Sequence, residues 1–392
     1  MAPRTQQSVA DALHRLSGQG REDRLTHLEV LPPRQGRTAE WPGWADARLV
    51  EAWRARGIER PWSHQSAAAE AAYGGRHVVI STGTASGKSL AYLMPALTSV
   101  LSKRRPKGQR GSTVLYLSPT KALAQDQLSS LLALGVPDLR ATTHDGDSSW
   151  EQRDWARDHG EYLLTNPDML HRSMLPSHAR WARFFSMLDF VVVDECHHYR
   201  GVFGAHVAQI LRRLRRVCAA YGASPTFVLA SATVAEPETS AQRLTGLPFV
   251  AVTEDGSPRG QVSLALWEPP FTSYGGENGA PVRRSATAEI SDLLTDLVVD
   301  GVRTLAFIRS RRGAETVSLT TKRLLDQVAP GLSGRVAAYR GGYLPEDRRA
   351  IEQALRAGEL LGLAATNALE LGIDVSGLDA VLLAGFPGTR AA

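Results

Sequence analysis

From residue 61 onward the chain alternates short, continuously apolar runs rich in β-branched residues with longer amphipathic stretches. The first series of runs covers 77–80, 113–117, 161–165, 190–193 and 226–230. A run without polar alternation predicts a strand buried on both faces, and helices between such runs predict a parallel sheet covered on both sides. The rhythm breaks over 253–285, where EDGSPRGQ and EPPFTSYGGENGAP concentrate Gly, Pro and polar residues, as a linker does. It resumes with runs at 304–308, 335–339, 361–365 and 380–383. The expected organisation is an appendage over 1–60, interrupted by Pro32, Pro33, Trp41, Pro42 and Trp44, then a first α/β lobe over 61–252, a linker over 253–285 and a second α/β lobe over 286–392.

Length and composition fit this reading. A chain of 392 residues has room for two cores, and 43% apolar with 22% charged residues is a globular balance. No apolar stretch reaches membrane-spanning length, and the opening MAPRTQQSVADALHRL has no signal-peptide core, so a cytoplasmic protein without a membrane partner is expected. Two cysteines, Cys196 and Cys218, exclude a disulfide framework and lack metal-ligand spacing. The formal charge of +5 suits a polyanionic partner without requiring one.

Candidate chemistry begins at STGTASGKS. The run ending at Ile80 leads through Thr82, Gly83, Thr84, Ala85, Ser86 and Gly87 to Lys88, Ser89 and an apolar helical pattern. This is the strand, loop, helix context of a P-loop, in which backbone N–H groups and a helix N-terminus meet phosphate oxygens. Lys88 would reach the β- and γ-phosphates of ATP, and the Ser89 hydroxyl would ligate Mg²⁺. In the pattern G-x-x-x-x-G-K-[ST] the first glycine falls on Thr82, with Gly83 one residue later. The run 190–193 then ends in Asp194 and Glu195, adjacent carboxylates on a buried strand. Asp194 would hold Mg²⁺ through a water, and Glu195 would orient and deprotonate the attacking water. Alone, the first motif has a Gly-Ser turn as its lesser reading and the second is commonly a strand emerging into solvent; together, in this order, they describe a site for ATP·Mg²⁺.

Other basic and aromatic features carry less. The cluster at 103–107 reads as a solvated loop. In HVAQILRRLRRVC the apolar residues Val207, Ile210, Leu211, Leu214 and Val217 form a helical stripe, leaving Arg212, Arg213, Arg215 and Arg216 on a wet basic side. Trp62 suits either a core position or stacking near a base.

In order along the chain, RPWSHQ, STGTASGKS, SPTKALAQDQ, LLTNPDML, DECH, SAT, TLAFIRSRRGAE and ATNALELGIDV resemble the motor motifs of superfamily 2 helicases. STGTASGKS, DECHHYRGVFGAHVAQILRRLRR, ENGAPVRRSATAE and YRGGYLPEDRR are similar to the bacterial DEAD/DEAH-box DNA helicases of the MrfA/SftH type, relatives of the Hrq-like helicases that carry a C-terminal zinc-binding domain. The resemblance implies two RecA-like parallel-sheet lobes in tandem, with ATP and Mg²⁺ as cofactors and 3′ to 5′ movement on single-stranded DNA, or DNA with a single-stranded tail, in repair. It implies that Gln65 reads adenine and that Gly372 and Asp374 contact the nucleotide from the second lobe. Pro119, Thr120, Lys121, Thr165, Asn166 and Thr366 would hold the strand backbone, and His197, Ser231 and Thr233 would relay the state of the nucleotide. The arginine-bearing Q-x-x-G-R-x-G-R motif and a cysteine-rich domain do not occur in the sequence. The expectation is a chain truncated before that motif, with an incomplete second lobe, that binds ATP and hydrolyses it poorly. An RNA-remodelling ATPase and a non-catalytic binding fragment are the alternatives.

Overall fold

The structure, a computed structural model, describes residues 6–18, 20–102, 111–366, 369 and 377–385. Contacts divide the chain into two compact units: Arg34–Arg259, and Met1–Pro33 together with Gly260–Ala392. In chain order it lays down Leu25–Leu31 (β1), which belongs to the second unit, and then the strands of the first. These are Val78–Ser81 (β2), Thr113–Leu117 (β3), Ala141–Thr143 (β4), Tyr162–Thr165 (β5), Leu188–Val193 (β6), Thr226–Ser231 (β7) and Val250–Val252 (β8). They form one all-parallel sheet in the order β4-β5-β3-β6-β7-β2-β8.

Because side chains alternate across a strand, each apolar run feeds two cores. Val78, Ile80, Val114, Tyr116, Val192 and Val228 face the helices Ser63–Tyr73 and Lys88–Ser102. Val79, Leu115, Val191, Val193 and Leu229 face the helix Gly201–Ala220 through its buried Val207, Leu211 and Leu214. Double-sided burial explains why these strands read as unbroken apolar runs. β4 and β8, three residues each, leave no such signature.

In the second unit, Val262–Trp267 (β9) pairs antiparallel with β1, and Phe271–Gly275 (β10) with Pro281–Arg283 (β11). Thr304–Phe307 (β12), Val336–Tyr339 (β13), Gly362–Ala365 (β14) and Ala380–Leu383 (β15) make a parallel sheet in the order β13-β14-β12-β15. The stretch 253–285, read as a linker, thus carries three strands; their partners are short or lie more than two hundred residues upstream, and no local period reveals such pairing.

The first sixty residues are shared between the units. The helix Gln6–Ser17 seats Ala12 and Leu16 against Leu293, Leu297 and Val302. Trp41 instead stacks on Trp53 at 5.6 Å, and Trp44 on Tyr73 at 4.0 Å, within the first unit. Among the described residues no helix is long and apolar enough to cross a membrane.

Candidate functional site

β2 ends at Ser81 and delivers Thr82–Gly87 to the N-terminus of the helix Lys88–Ser102. The loop is held by its own polar groups. Thr82 Oγ1 and Ser86 Oγ are 2.7 Å apart, a bond across the loop that a glycine at 82 could not make. Gly87 has φ +74°, and a Cβ there would lie 2.5 Å from Gln65 Nε2. Gln65, on the facing helix, donates from Nε2 to Gly87 O at 2.8 Å and accepts from Trp62 N at 2.7 Å through Oε1. The residue expected at adenine therefore also braces the phosphate loop. Lys88 Nζ donates to Gly83 O at 2.9 Å and Thr82 O at 3.3 Å. Burial lowers the Lys88 pKa, and the charges of Glu195, Asp194 and Asp255 oppose that shift, so three carboxylates act on one ammonium.

β6 brings the acids to the same place. Asp194 is 6% exposed, and its Oδ2 accepts from Tyr116 OH at 2.6 Å and Tyr92 OH at 3.0 Å. Its Oδ1 accepts from Glu195 N at 2.9 Å. With its proton on Asp194, the Tyr92 oxygen can accept from the Ser89 hydroxyl 3.1 Å away, so one phenol bridges the hydroxyl and the carboxylate expected at Mg²⁺. Glu195 adopts the left-handed conformation, φ 47° and ψ 42°, where non-glycine residues carry strain of about 1 kcal/mol or more. Burial, reinforced by Asp194 and opposed by Lys88, pushes the Glu195 carboxyl up to about 7, a value suited to accepting a proton near neutrality.

The third part of the site is His197. Burial, then the neighbouring His198, Arg200 and Lys88, brings its pKa down to about 4, so the ring is neutral at pH 7. Nδ1 accepts from Ala232 N at 3.3 Å and lies 3.2 Å from Glu195 Oε2. Ser81 Oγ donates to Ala232 O at 3.1 Å and accepts from Val234 N at 3.1 Å. The turn after β7, with buried Ser231 and exposed Thr233, is thereby tied to both the phosphate loop's strand and the acids.

The family comparisons agree with this geometry. The DEAD/DEAH box helicase family matches residues 62–240, and the helicase conserved C-terminal domain matches 287–392. The chain belongs to the superfamily 2 helicases. It is 38% identical to the uncharacterized ATP-dependent helicase YprA of Bacillus subtilis over 98% of its own length and 50% of YprA. It is 38% identical to the ATP-dependent helicase HRQ1 of Saccharomyces cerevisiae over 93% of its own length and 33% of HRQ1. The crystal structure of the DUF1998 helicase MrfA bound to DNA and AMPPNP matches with a TM-score of 0.89 at 38% identity, covering 97% of this chain and 52% of that one. The chain thus spans about half of YprA and MrfA and a third of HRQ1.

Of the helicase motif residues, the structure brings Gln65, Thr82–Ser89, Asp194, Glu195 and His197 together. Thr84 and Ala85 are exposed at the loop's tip, Ala85 with φ 58°. Gly372 and Asp374 lie outside the described residues, as does the basic cluster at 103–107. Pro119–Lys121 comes just after β3, and Thr165–Asn166 ends and leaves its parallel neighbour β5, with Ser118 N donating to Thr165 O at 3.0 Å. Their polar groups serve local structure: Thr120 and Asn166 cap helices, buried Thr165 donates to His144 O at 2.5 Å, and Lys121 pairs with Asp147 at 2.8 Å. Thr366 is buried in the other unit.

Sequence reasoning missed Ser81, Tyr92, Tyr116 and Asp255. The signal for the tyrosines was a phenol inside an aliphatic run beside a strand ending in Asp. Asp255 sat in the supposed linker. Its carboxylate is pushed up by burial but held at about 2 by bonds from Ser257 and Arg34, and its Oδ2 would lie 3.2 Å from a Cβ at Gly83.

Proposed function

We propose that this chain is the motor of an ATP-dependent DNA helicase or translocase, moving 3′ to 5′ on single-stranded DNA or on DNA with a single-stranded tail, in DNA repair. The observation that carries the reading is the convergence of Lys88, Asp194 and Glu195 on one loop whose Gly87 takes φ +74°, a conformation strained for any side chain. The oxygen donors Ser89 Oγ and Asp194, linked through Tyr92, fit Mg²⁺, and the loop's backbone N–H groups with the Lys88 ammonium fit a triphosphate. When bound, Mg²⁺ neutralises charge on the phosphate oxygens.

The chain's own groups do the rest. Lys88 exchanges its bonds to the carbonyls of Thr82 and Gly83 for phosphate oxygens. Glu195, poised near neutrality beside the ammonium, takes the proton of the attacking water. His197 packs against Glu195 and accepts from the backbone of Ala232, so displacement of the carboxyl moves the ring that holds the turn after β7. The ends of β3 and β5, carrying 119–121 and 165–166, form the backbone-holding face, where groups directed at phosphates tolerate every base sequence. DNA is favoured by the likeness to MrfA, a helicase solved with DNA. Hydrolysis by these 392 residues is slow, since an arginine finger is worth about 10³–10⁵ in rate and the sequence holds no Q-x-x-G-R-x-G-R.

Nucleotide binding and ATPase rate, measured with single-stranded DNA, single-stranded RNA and no polymer, test the reading. Binding that is lost in Lys88→Ala, and a rate raised by DNA more than by RNA, are expected. Equal or greater stimulation by RNA would turn the assignment to an RNA-remodelling ATPase, and a chain that binds no nucleotide would remove the motor altogether.

A further inference from the structure

The arginines of the helix Gly201–Ala220 are more than a solvated face. Arg212, Arg215 and Arg216 line a cavity of about 440 Å³ together with His77, Ser224 and Phe227. His77 immediately precedes β2, and Ser224 lies just before β7, so the cavity opens at the N-terminal ends of the parallel strands. The phosphate loop and the acids follow the C-terminal ends. A four-residue strand puts roughly 13 Å of sheet between the two places, so they are separate sites.

Two guanidiniums are fixed in advance. Arg212 donates to Arg243 O at 2.8 Å and Leu244 O at 3.3 Å, and Arg215 to Thr245 O at 3.0 Å and Gly246 O at 3.3 Å. These are the closing carbonyls of the helix Pro237–Thr245. Gly246 takes φ +75° there, and a Cβ on it would stand 3.2 Å from Arg215 Nη1, so the glycine leaves room for the guanidiniums to close on the helix end. Carbonyls orient a guanidinium without neutralising it. No carboxylate lines the cavity, and among the described residues none of the three arginines makes an ion pair. His77 Nδ1 accepts from Phe227 N at 3.0 Å, which selects the neutral ring with its Nε2–H as the remaining donor. Three fixed or nearby positive charges, a ring N–H and the Ser224 hydroxyl make a wall of donors with no charged acceptor. Guanidinium forks match the oxygens of a phosphate better than those of any other common anion.

We propose that this cavity is a second, nucleotide-independent anion site of the first unit, taking a phosphate group held by Arg212, Arg215 and Arg216. The phosphate belongs either to a nucleic-acid backbone or to a free phosphate compound, and the two are separable by experiment. In the 392-residue chain carrying Lys88→Ala, which blanks the phosphate loop, inorganic pyrophosphate binding is followed by calorimetry and short single-stranded DNA binding by anisotropy across a salt series. Arg215→Gln/Arg216→Gln is expected to weaken at least one probe about tenfold or more, the loss that follows removal of charge-assisted hydrogen bonds.

A loss confined to pyrophosphate identifies a free phosphate ligand. A loss for DNA, with the salt slope reduced by about 0.7 for each phosphate contact removed, identifies a strand. Arg216→Gln by itself, at a residue that does not hold the helix end, keeps the thermal midpoint and retains part of the loss. Unchanged binding of both probes in the double variant, no binding in the Lys88→Ala parent, or an equal loss in Arg183→Gln, an exposed arginine outside the cavity, would overturn the proposal.

Discussion

In the first unit β6 runs from buried valines directly into Asp194, covered by two tyrosine hydroxyls, and then into a left-handed Glu195. In the second unit β12 runs from Thr304 to Phe307, Ile308 stays in the core, and the chain enters the helix Arg311–Val328 through an ordinary serine cap, Ser310 Oγ accepting from Gly313 N at 3.0 Å. The two strands obey the same apolar rule, and their ends differ entirely. A buried carboxylate costs several kcal/mol unless partners surround it, and a left-handed non-glycine residue adds to that cost. On the proposed function, a strand end that carries both exchanges stability for reactivity, whereas the second unit's end packs its apolar residue and caps a helix.

That contrast can be broken at several points. The largest effect is expected at the reactive end: Glu195→Gln should keep nucleotide binding and lower hydrolysis by about 10²–10⁴-fold, which single-turnover measurements would detect. Normal hydrolysis would misassign the base.

Acid should then separate the units. Burial, with the charge of Arg153, holds His144 at about 4, below its usual 6.5. The unfolded chain binds the extra proton between these values. Stability from the neutral ring is therefore complete above pH 6.5 and lost as pH falls through 4, by up to about 3 kcal/mol. Thermal melts of the first unit should sharpen in acid sensitivity accordingly, and His144→Gln should flatten the profile.

Tyr116→Phe keeps the ring and removes one hydrogen bond to Asp194, for a loss of about 2 kcal/mol in the nucleotide-free protein. Ser310→Ala should cost about 1 kcal/mol, confined to the second unit, with nucleotide affinity unchanged. If the two substitutions had equal and purely structural consequences, the distinction between the strand ends would be lost.

How much of this was legible follows from locality. The run 113–117 matches β3 residue for residue, because double-sided burial writes itself into consecutive positions; 380–383 matches β15 as closely, although Val381 and Leu383 there are exposed. That the loop 82–89 and the acid pair lie together was equally readable, since their residue types are costly on buried strand ends unless they meet. The phenols on Asp194 were hidden by looking like core aromatics. Asp255, the β1–β9 ribbon and the arginine cavity were invisible for a different reason: each is made by segments far apart in sequence, such as Thr26 Oγ1 donating to Leu266 O across 240 positions. The departure at Thr82 is explained by its bond to Ser86, which replaces backbone freedom with a cross-link.

The bridge between Arg34 and Arg259, with N to O distances of 2.8 and 2.9 Å, brings the two ends of the first unit side by side. That unit is therefore an insertion threaded into its neighbour, and synthesis must finish it before β1 can meet β9. Once folded, it acts as a closed clasp that presents both flanking segments at pairing distance, so the ribbon forms without the entropy loss of gathering a long, loose loop. A nascent chain stopped before residue 262 should leave β1 unpaired and open to protease.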